Sequence, residues 1–186
     1  MGPITSALRA RLKARCARFA YASGGAAAIE FALMSIPFFL LLFGIIELAM
    51  IFLLSTTLDN ATAEASRTIR TGELQGKGTP DPAAFKTTIC ETLGWLESDC
   101  KSNLYVDAQT FDSFQAIQAP PDTTNQAFDP SAFQFSPGGP GTIVVVRAYY
   151  KWPFITPLVS KAMQQYADGS MVLMSTASFR VEPYGS

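Results

Sequence analysis

Apolar positions are almost continuous over one long stretch near the N-terminus. Between Phe31 and Leu54 this run is interrupted only by Ser35, Pro37, Gly44 and Glu47. A helix of that length would span about 36 Å, which exceeds the roughly 30 Å of a bilayer's hydrocarbon core. The pattern therefore predicts a transmembrane helix over residues 26–54. The alternative, a helix buried in a soluble core, would have to be unusually long.

Beyond the apolar run, hydrophobic side chains recur at steps of three and four residues. They are Leu54, Leu58, Ala61, Ala65 and Ile69, and polar residues such as Asn60 and Glu64 lie between them. This spacing gives a helix one apolar face. We therefore predict that the helix continues to about Arg70, as an amphipathic extension over residues 55–72, and that the following glycines and Pro80 end it.

Residues 73–186 show the pattern of a small mixed domain. Asp81-Pro82 is a helix N-cap followed by proline, and apolar residues from Phe85 to Leu96 give a short helix one hydrophobic face. Strand patterns cover residues 104–109, 142–152 and 170–181, with a short strand expected at 133–135 within a long loop. Thr156-Pro157 is expected to cap a helix ending near Asp168-Gly169. The expected fold class is α+β: a long N-terminal transmembrane helix, then a short helix and a three- to four-stranded antiparallel sheet.

Charge is distributed unevenly between the two ends of the chain. Residues 1–25 carry five basic side chains and no acidic one, while the whole chain has a net charge of −1. Basic residues directly before a membrane span keep that end in the cytoplasm. We therefore predict a basic cytoplasmic leader over 1–25, a single-pass protein of a bacterial inner membrane, and a periplasmic domain over 73–186. No aromatic residues alternate with the basic ones, so we predict lipid contact and no nucleic-acid binding.

Two of the three cysteines, Cys90 and Cys100, lie in the segment predicted to be periplasmic, where disulfides persist. A bond between them would close a loop of about ten residues and contribute roughly 3 kcal/mol to stability. The alternative is a pair of reduced, buried thiols. Cys16, in the leader, is expected to stay reduced.

The residue types argue against catalysis. The chain has no histidine, which removes the commonest general base and the commonest metal ligand. The cysteines lack metal-ligand spacing, and no phosphate-binding glycine loop is present. A hydrolase using the carboxylate pairs Glu97 and Asp99, or Asp107 and Asp112, is a weaker alternative, because these side chains are expected to be solvated. We predict a protein that is not an enzyme and has no metal and no cofactor.

A carboxylate at Glu30 is unexpected at the start of a transmembrane helix, because charged side chains there are costly. Cleavage after Gly25 would remove the leader and create an α-amino group on Ala26 that is largely protonated at neutral pH. That amine and Glu30 lie about one helical turn apart, so the amine of one chain could pair with the glutamate of a neighbour. We therefore predict a processing site at Gly25 and Ala26, and a role for Glu30 in helix pairing.

The stretch from Gly25 through Glu30 and Phe31 resembles the processing site of type IV prepilins and pseudopilins. The longer segment GAAAIEFALMSIPFFLLLFGIIELAMIFLL, with the following TTLDNATAEASRTIRTGE, resembles more specifically the TadE-like family of tight-adherence pilus assembly proteins. The resemblance implies a pilin-like fold and a minor pseudopilin of the tight-adherence (Flp, type IVc) pilus. It also implies cleavage by a prepilin peptidase, and partners among other pilins, pseudopilins and inner-membrane pilus assembly proteins.

The sequence is compatible with three alternatives. The chain could be an uncleaved single-pass anchor that presents a periplasmic protein-interaction domain. The apolar run could be a secretory signal cut near Ala61-Thr62-Ala63, although it is far longer than the usual 7–15 residues. Glu47, near the outer edge of the hydrocarbon, could reach the membrane interface or, like Glu30 and Phe31, contact a partner helix.

Overall fold

The computed structural model describes residues 25–76, 80–120 and 127–183, so the predicted leader up to residue 24, with Cys16, lies outside the described residues. The chain forms two compact units that are divided between Phe43 and Gly44.

The first element is the helix α1, Ala26–Arg70, which contains 45 residues and has the predicted length. Among the described residues it is the one helix long and apolar enough to cross a membrane. Only 17% of its most apolar 18-residue window is buried, whereas the core helix of a soluble protein would be mostly buried. The helix therefore fits a single-pass membrane anchor.

The second unit is built from short helices and one antiparallel sheet. The helices after α1 are α2 (Glu73–Gly76), α3 (Pro82–Leu93), α4 (Glu97–Asn103) and α5 (Pro157–Met163). The strands are β1 (Leu104–Phe111), β2 (Ile143–Pro153) and β3 (Ser170–Arg180), in the sheet order β1-β2-β3. The α+β class with a three-stranded antiparallel sheet is confirmed.

The core of the second unit lies between the sheet and the extended part of α1. The residues predicted to form the apolar face of that extension, from Leu54 to Ile69, are all at most 1% exposed. They belong to one cluster with Phe85 and Ile89 of α3 and with alternate residues of β2, including Val146 and Tyr150. The periodicity of the sequence thus identified the buried face correctly, because burial of one helix face against a sheet requires that spacing.

The opposite face of the sheet is covered by the long loop between β1 and β2. Rings of this loop pack on the strand: Phe133 stacks on Tyr149 with ring centroids 4.7 Å apart, and Phe128 contacts both Tyr105 and Tyr166. Burial raises the pKa of the Tyr149 phenol to about 12. Strand β2 is therefore buried on both faces, which explains its nearly continuous run of apolar residues.

Four elements differ from the prediction. Helices α2 and α4 were not predicted, and α5 ends at Met163, several residues before Asp168-Gly169. The strand expected at 133–135 is reduced to a single parallel bridge between Ala108 and Phe135. In that bridge the Ala108 N–H donates to the Gln134 carbonyl, and the Ala108 carbonyl accepts from the Ser136 N–H, each at 2.7 Å. These bonds attach the long loop to the edge of β1.

Candidate functional site

The predicted processing site lies at the start of α1. Gly25 forms the turn directly before the helix, and Ala26 is the first helical residue. A Cβ atom built on Gly25 would meet no atom within 4 Å. Packing among the described residues therefore does not require glycine here. Recognition of this position by another molecule would be a different reason for glycine at position 25.

Glu30 lies one turn further along α1, on an exposed part of the helix. Within the part of the chain that the structure describes, its carboxylate makes no hydrogen bond and no ion pair. Phe31 and Met34 beside it are 72% and 75% exposed. In a bilayer this glutamate would face lipid unless a second molecule supplied a partner. Its role in helix pairing stays a prediction.

Glu47 has a different environment, because its carboxylate is bound within its own chain. The side chain is 3% exposed. One oxygen accepts a hydrogen bond from the backbone N–H of Ile155 at 2.6 Å, and the other accepts from the N–H of Thr156 at 2.9 Å. Both donors precede α5, whose first residue is Pro157. The second unit itself therefore supplies partners for a carboxylate within the apolar run, and a further role of Glu47 in helix pairing stays a prediction.

The cap that the sequence predicted from the Thr156 side chain is not formed, and Glu47 binds the two backbone N–H groups just before the helix instead. Thr156 is the N-cap residue of α5, but its side chain makes no capping hydrogen bond. The sequence contains two features that relate to this contact: a carboxylate within an apolar run, and a helix start that has no acidic residue of its own. They lie 109 residues apart, so no local pattern links them.

An ion pair fastens the turn that follows α5. The ammonium group of Lys151, on β2, lies 2.5 Å from the carboxylate of Asp168. Hydrogen bonds from Lys151 and from the Ser170 hydroxyl lower the pKa of Asp168 to about 2. Both ends of the α5 segment are thus held, by Glu47 at one end and by Lys151 at the other.

The two cysteines that the sequence analysis placed in the periplasm form the predicted disulfide. Cys90 in α3 and Cys100 in α4 are bonded, with their Cα atoms 5.6 Å apart, and both are fully buried. The predicted pairing is confirmed, and the alternative of two reduced thiols is not what the structure shows. The bond joins two short helices that pack against β1 and β2.

Asp107 is not solvated, contrary to the sequence-based expectation. It is completely buried, directly across the strands from Arg147, and the two charged groups lie 3.4 Å apart. Its carboxylate also accepts from the Gln134 backbone N–H and from the Gln109 amide, and Arg147 donates to the Gln118 carbonyl at 2.6 Å. The expectation failed because the loop covers this face of the sheet. The pair holds that loop in place.

No group of three or more His, Cys, Asp or Glu side chains among the described residues could hold a metal ion. The polar groups at Glu30 and Glu47 are single carboxylates on one helix, which suits binding and positioning.

Residues 25–67 match the family model described as TadE-like protein, which confirms the resemblance of this segment to the TadE-like family. No curated protein and no solved structure matches the chain.

Proposed function

Because its N-terminal segment is TadE-like, we propose that this protein is a pseudopilin-like, non-enzymatic component of tight-adherence pilus assembly in the bacterial inner membrane. The observation that carries the proposal is the exposed Glu30 carboxylate, which has no partner among the described residues and lies one turn after Ala26. The matched segment begins at Gly25, the residue before the proposed cleavage.

In this proposal a prepilin peptidase, a membrane protease, cuts between Gly25 and Ala26 and releases the basic leader. The new α-amino group of one molecule then pairs with the Glu30 carboxylate of a neighbouring pilin-like helix. Both groups lie in low dielectric, where removing one member of an ion pair costs about 3–5 kcal/mol. Glu30 thereby favours an assembled state over an isolated helix in lipid.

Small side chains beside the cut support close approach by the peptidase or by a second helix. Ala26, Ala27 and Ala28 are exposed, and short side chains allow helix backbones to pack closely in membranes. The exposed Phe31 adds an apolar ring next to Glu30. We propose that this segment is the surface that meets other pilins and pseudopilins.

Processing is tested first. We expect Gly25→Ala to prevent cleavage in cells that contain the peptidase, while Gly24→Ala, the matched control, is cleaved normally. N-terminal sequencing of membrane-purified wild-type protein should give Ala26. Met1 or Gly2 at the N-terminus, or equal cleavage of Gly25→Ala and wild type, would contradict processing at this site and favour the uncleaved anchor.

The pairing role is tested separately. Glu30→Ala and Glu30→Gln should still insert and be cleaved, but co-purification with pilin-like partners and surface piliation should fall strongly. Glu64→Gln, on the exposed part of the same helix, is the control and should leave both unchanged. Normal piliation in Glu30→Ala, at wild-type protein levels, would exclude the pairing mechanism.

A further inference from the structure

The segment 153–163, which we name the apolar tip, has unusually exposed hydrophobic side chains for a small domain. Ile155 is 76% exposed and Leu158 is 61% exposed. Its one charged residue is Lys161, which is exposed, and it contains no acidic residue. Apolar side chains with a single lysine are a combination that suits the boundary between lipid headgroups and acyl chains.

The apolar tip lies directly against α1. The Glu47 carboxylate accepts hydrogen bonds from the backbone N–H groups of Ile155 and Thr156. Close by, a Cβ atom on Gly44 would lie 3.4 Å from the Val159 side chain, so this side chain packs near the helix backbone at Gly44. These contacts place the tip level with residues 44–47 of the helix.

The helix surface at this level is itself apolar and uncovered. Ile45 and Ile46 are 57% and 46% exposed, and the exposed apolar surface continues past Glu47 to Phe52 and Leu53, which are 72% and 50% exposed. The distance from Glu47 to Leu53 along the axis is about 9 Å. If α1 spans the bilayer over this run, the apolar tip lies within the outer leaflet, because the lipid-facing helix surface extends beyond it.

We infer that the apolar tip is a second membrane contact of this protein, inserted beside the transmembrane helix into the outer leaflet of the bilayer. Ile155 and Leu158 contact acyl chains, and the Lys161 ammonium reaches anionic headgroups. Glu47 is the positioning residue, because its two hydrogen bonds fix the tip against the helix. The inference requires the membrane span, but it requires neither cleavage nor pilus assembly.

The test uses the full chain reconstituted into vesicles of phosphatidylethanolamine and phosphatidylglycerol. Cys16→Ser removes the free thiol, and a polarity-sensitive fluorophore is attached to Leu158→Cys. Ile45→Cys, on the helix at the same level, is the control inside the membrane. Ser178→Cys is the control outside it, because Ser178 lines a groove with Ser66, about 29 Å beyond Glu47 along the helix.

We expect lipids with a nitroxide on the acyl chain to quench the Leu158 and Ile45 probes several-fold more than the Ser178 probe, and aqueous iodide to give the reverse order. A Leu158 probe that behaves like the Ser178 probe would overturn the inference while leaving the span intact. If lipid quenching is absent at both Leu158 and Ile45, both the inference and the membrane span would be overturned. A Leu158 probe that is shielded from iodide but not quenched by lipid would show that protein covers this side chain, and this result would also overturn the inference.

Discussion

At the scale of single residues, the two carboxylates in the apolar run differ in where their partners come from. Glu47 receives two backbone N–H groups from its own chain, while Glu30 is exposed and has no partner among the described residues. In the sequence the two glutamates look alike, since each places a carboxylate within an apolar segment. The difference between their environments appears only in the folded chain, because the donors to Glu47 come from a loop that is distant in the sequence.

The contact at Glu47 leads to a prediction for Glu47→Gln. Hydrogen bonds to a charged acceptor contribute about 1.5–3 kcal/mol, and an unsatisfied buried N–H costs about 1–3 kcal/mol. We expect the variant to lower the free energy of unfolding by about 1–3 kcal/mol and to accelerate hydrogen exchange at Ile155 and Thr156. Hydrogen exchange of the detergent-solubilised full chain measures the local effect.

Glu64→Gln is the matched control, because Glu64 makes a surface ion pair with Arg67 on the same helix and its side chain is 62% exposed. Such pairs contribute at most about 1 kcal/mol. Exchange rates at Ile155 and Thr156 that are equal in Glu47→Gln and Glu64→Gln would show that the Glu47 contact does not hold the loop.

At the scale of secondary-structure elements, periodicity predicted that α1 continues to about Arg70, because one face of its C-terminal part is buried. The three long strands were also predicted closely, since buried strands contain long runs of β-branched and aromatic residues. Helix α4 was missed because its sequence, ESDCKSN, has a single apolar residue and no side-chain cap at its start. It is held by tertiary contacts, including the bond from Cys100 to Cys90.

The disulfide therefore has a predictable effect on the elements it joins. We expect Cys90→Ser combined with Cys100→Ser to lower the free energy of unfolding by roughly 3 kcal/mol, the value expected for a loop of this length. Denaturant unfolding of wild type and variant, in the same detergent, gives the difference. Hydrogen exchange should increase most in α4, while β2, paired on both sides, changes least. A variant with wild-type stability would mean that packing alone holds α3 and α4 together.

The contacts on the second face of the sheet could not be predicted from the sequence. Asp107 is opposite Arg147 only after β1 and β2 pair, 40 residues apart in the chain. The loop that covers them is rich in proline, glycine and polar residues, a composition typical of exposed loops. Its aromatic side chains, such as Phe133, are what make it part of the core.

At the scale of the whole molecule, α1 belongs to both compact units, and its charge pattern predicts a direction across the membrane. Helix orientation in bacterial membranes follows the basic residues, which here all precede Gly25 within the leader or occur well beyond the span. The disulfide agrees with a domain outside the cytoplasm, since such bonds are rare in reducing compartments.

Orientation is tested with thiol labelling of Ser178→Cys in a Gly25→Ala background, which is expected to retain the leader. In intact spheroplasts, a membrane-impermeant maleimide should label Ser178→Cys before lysis and Cys16 only after lysis. Cys16 is the internal control for the cytoplasmic side. Cys90 and Cys100 do not interfere, because they are bonded to each other and do not react with the maleimide. Labelling of Cys16 before lysis, with Ser178→Cys protected, would reverse the predicted orientation.

The long sequence separation at Glu47 also has a consequence for biosynthesis. Ile155 follows Glu47 by 108 residues, so at bacterial translation rates its N–H group is made roughly 5–20 s later. If α1 spans a membrane as proposed, the helix would be inserted during that interval with a carboxylate whose protein donors do not yet exist. The contact at Glu47 therefore forms late, after the loop before α5 has been synthesised and has folded back onto α1. A contact of a helix near the N-terminus thus depends on the synthesis of most of the chain.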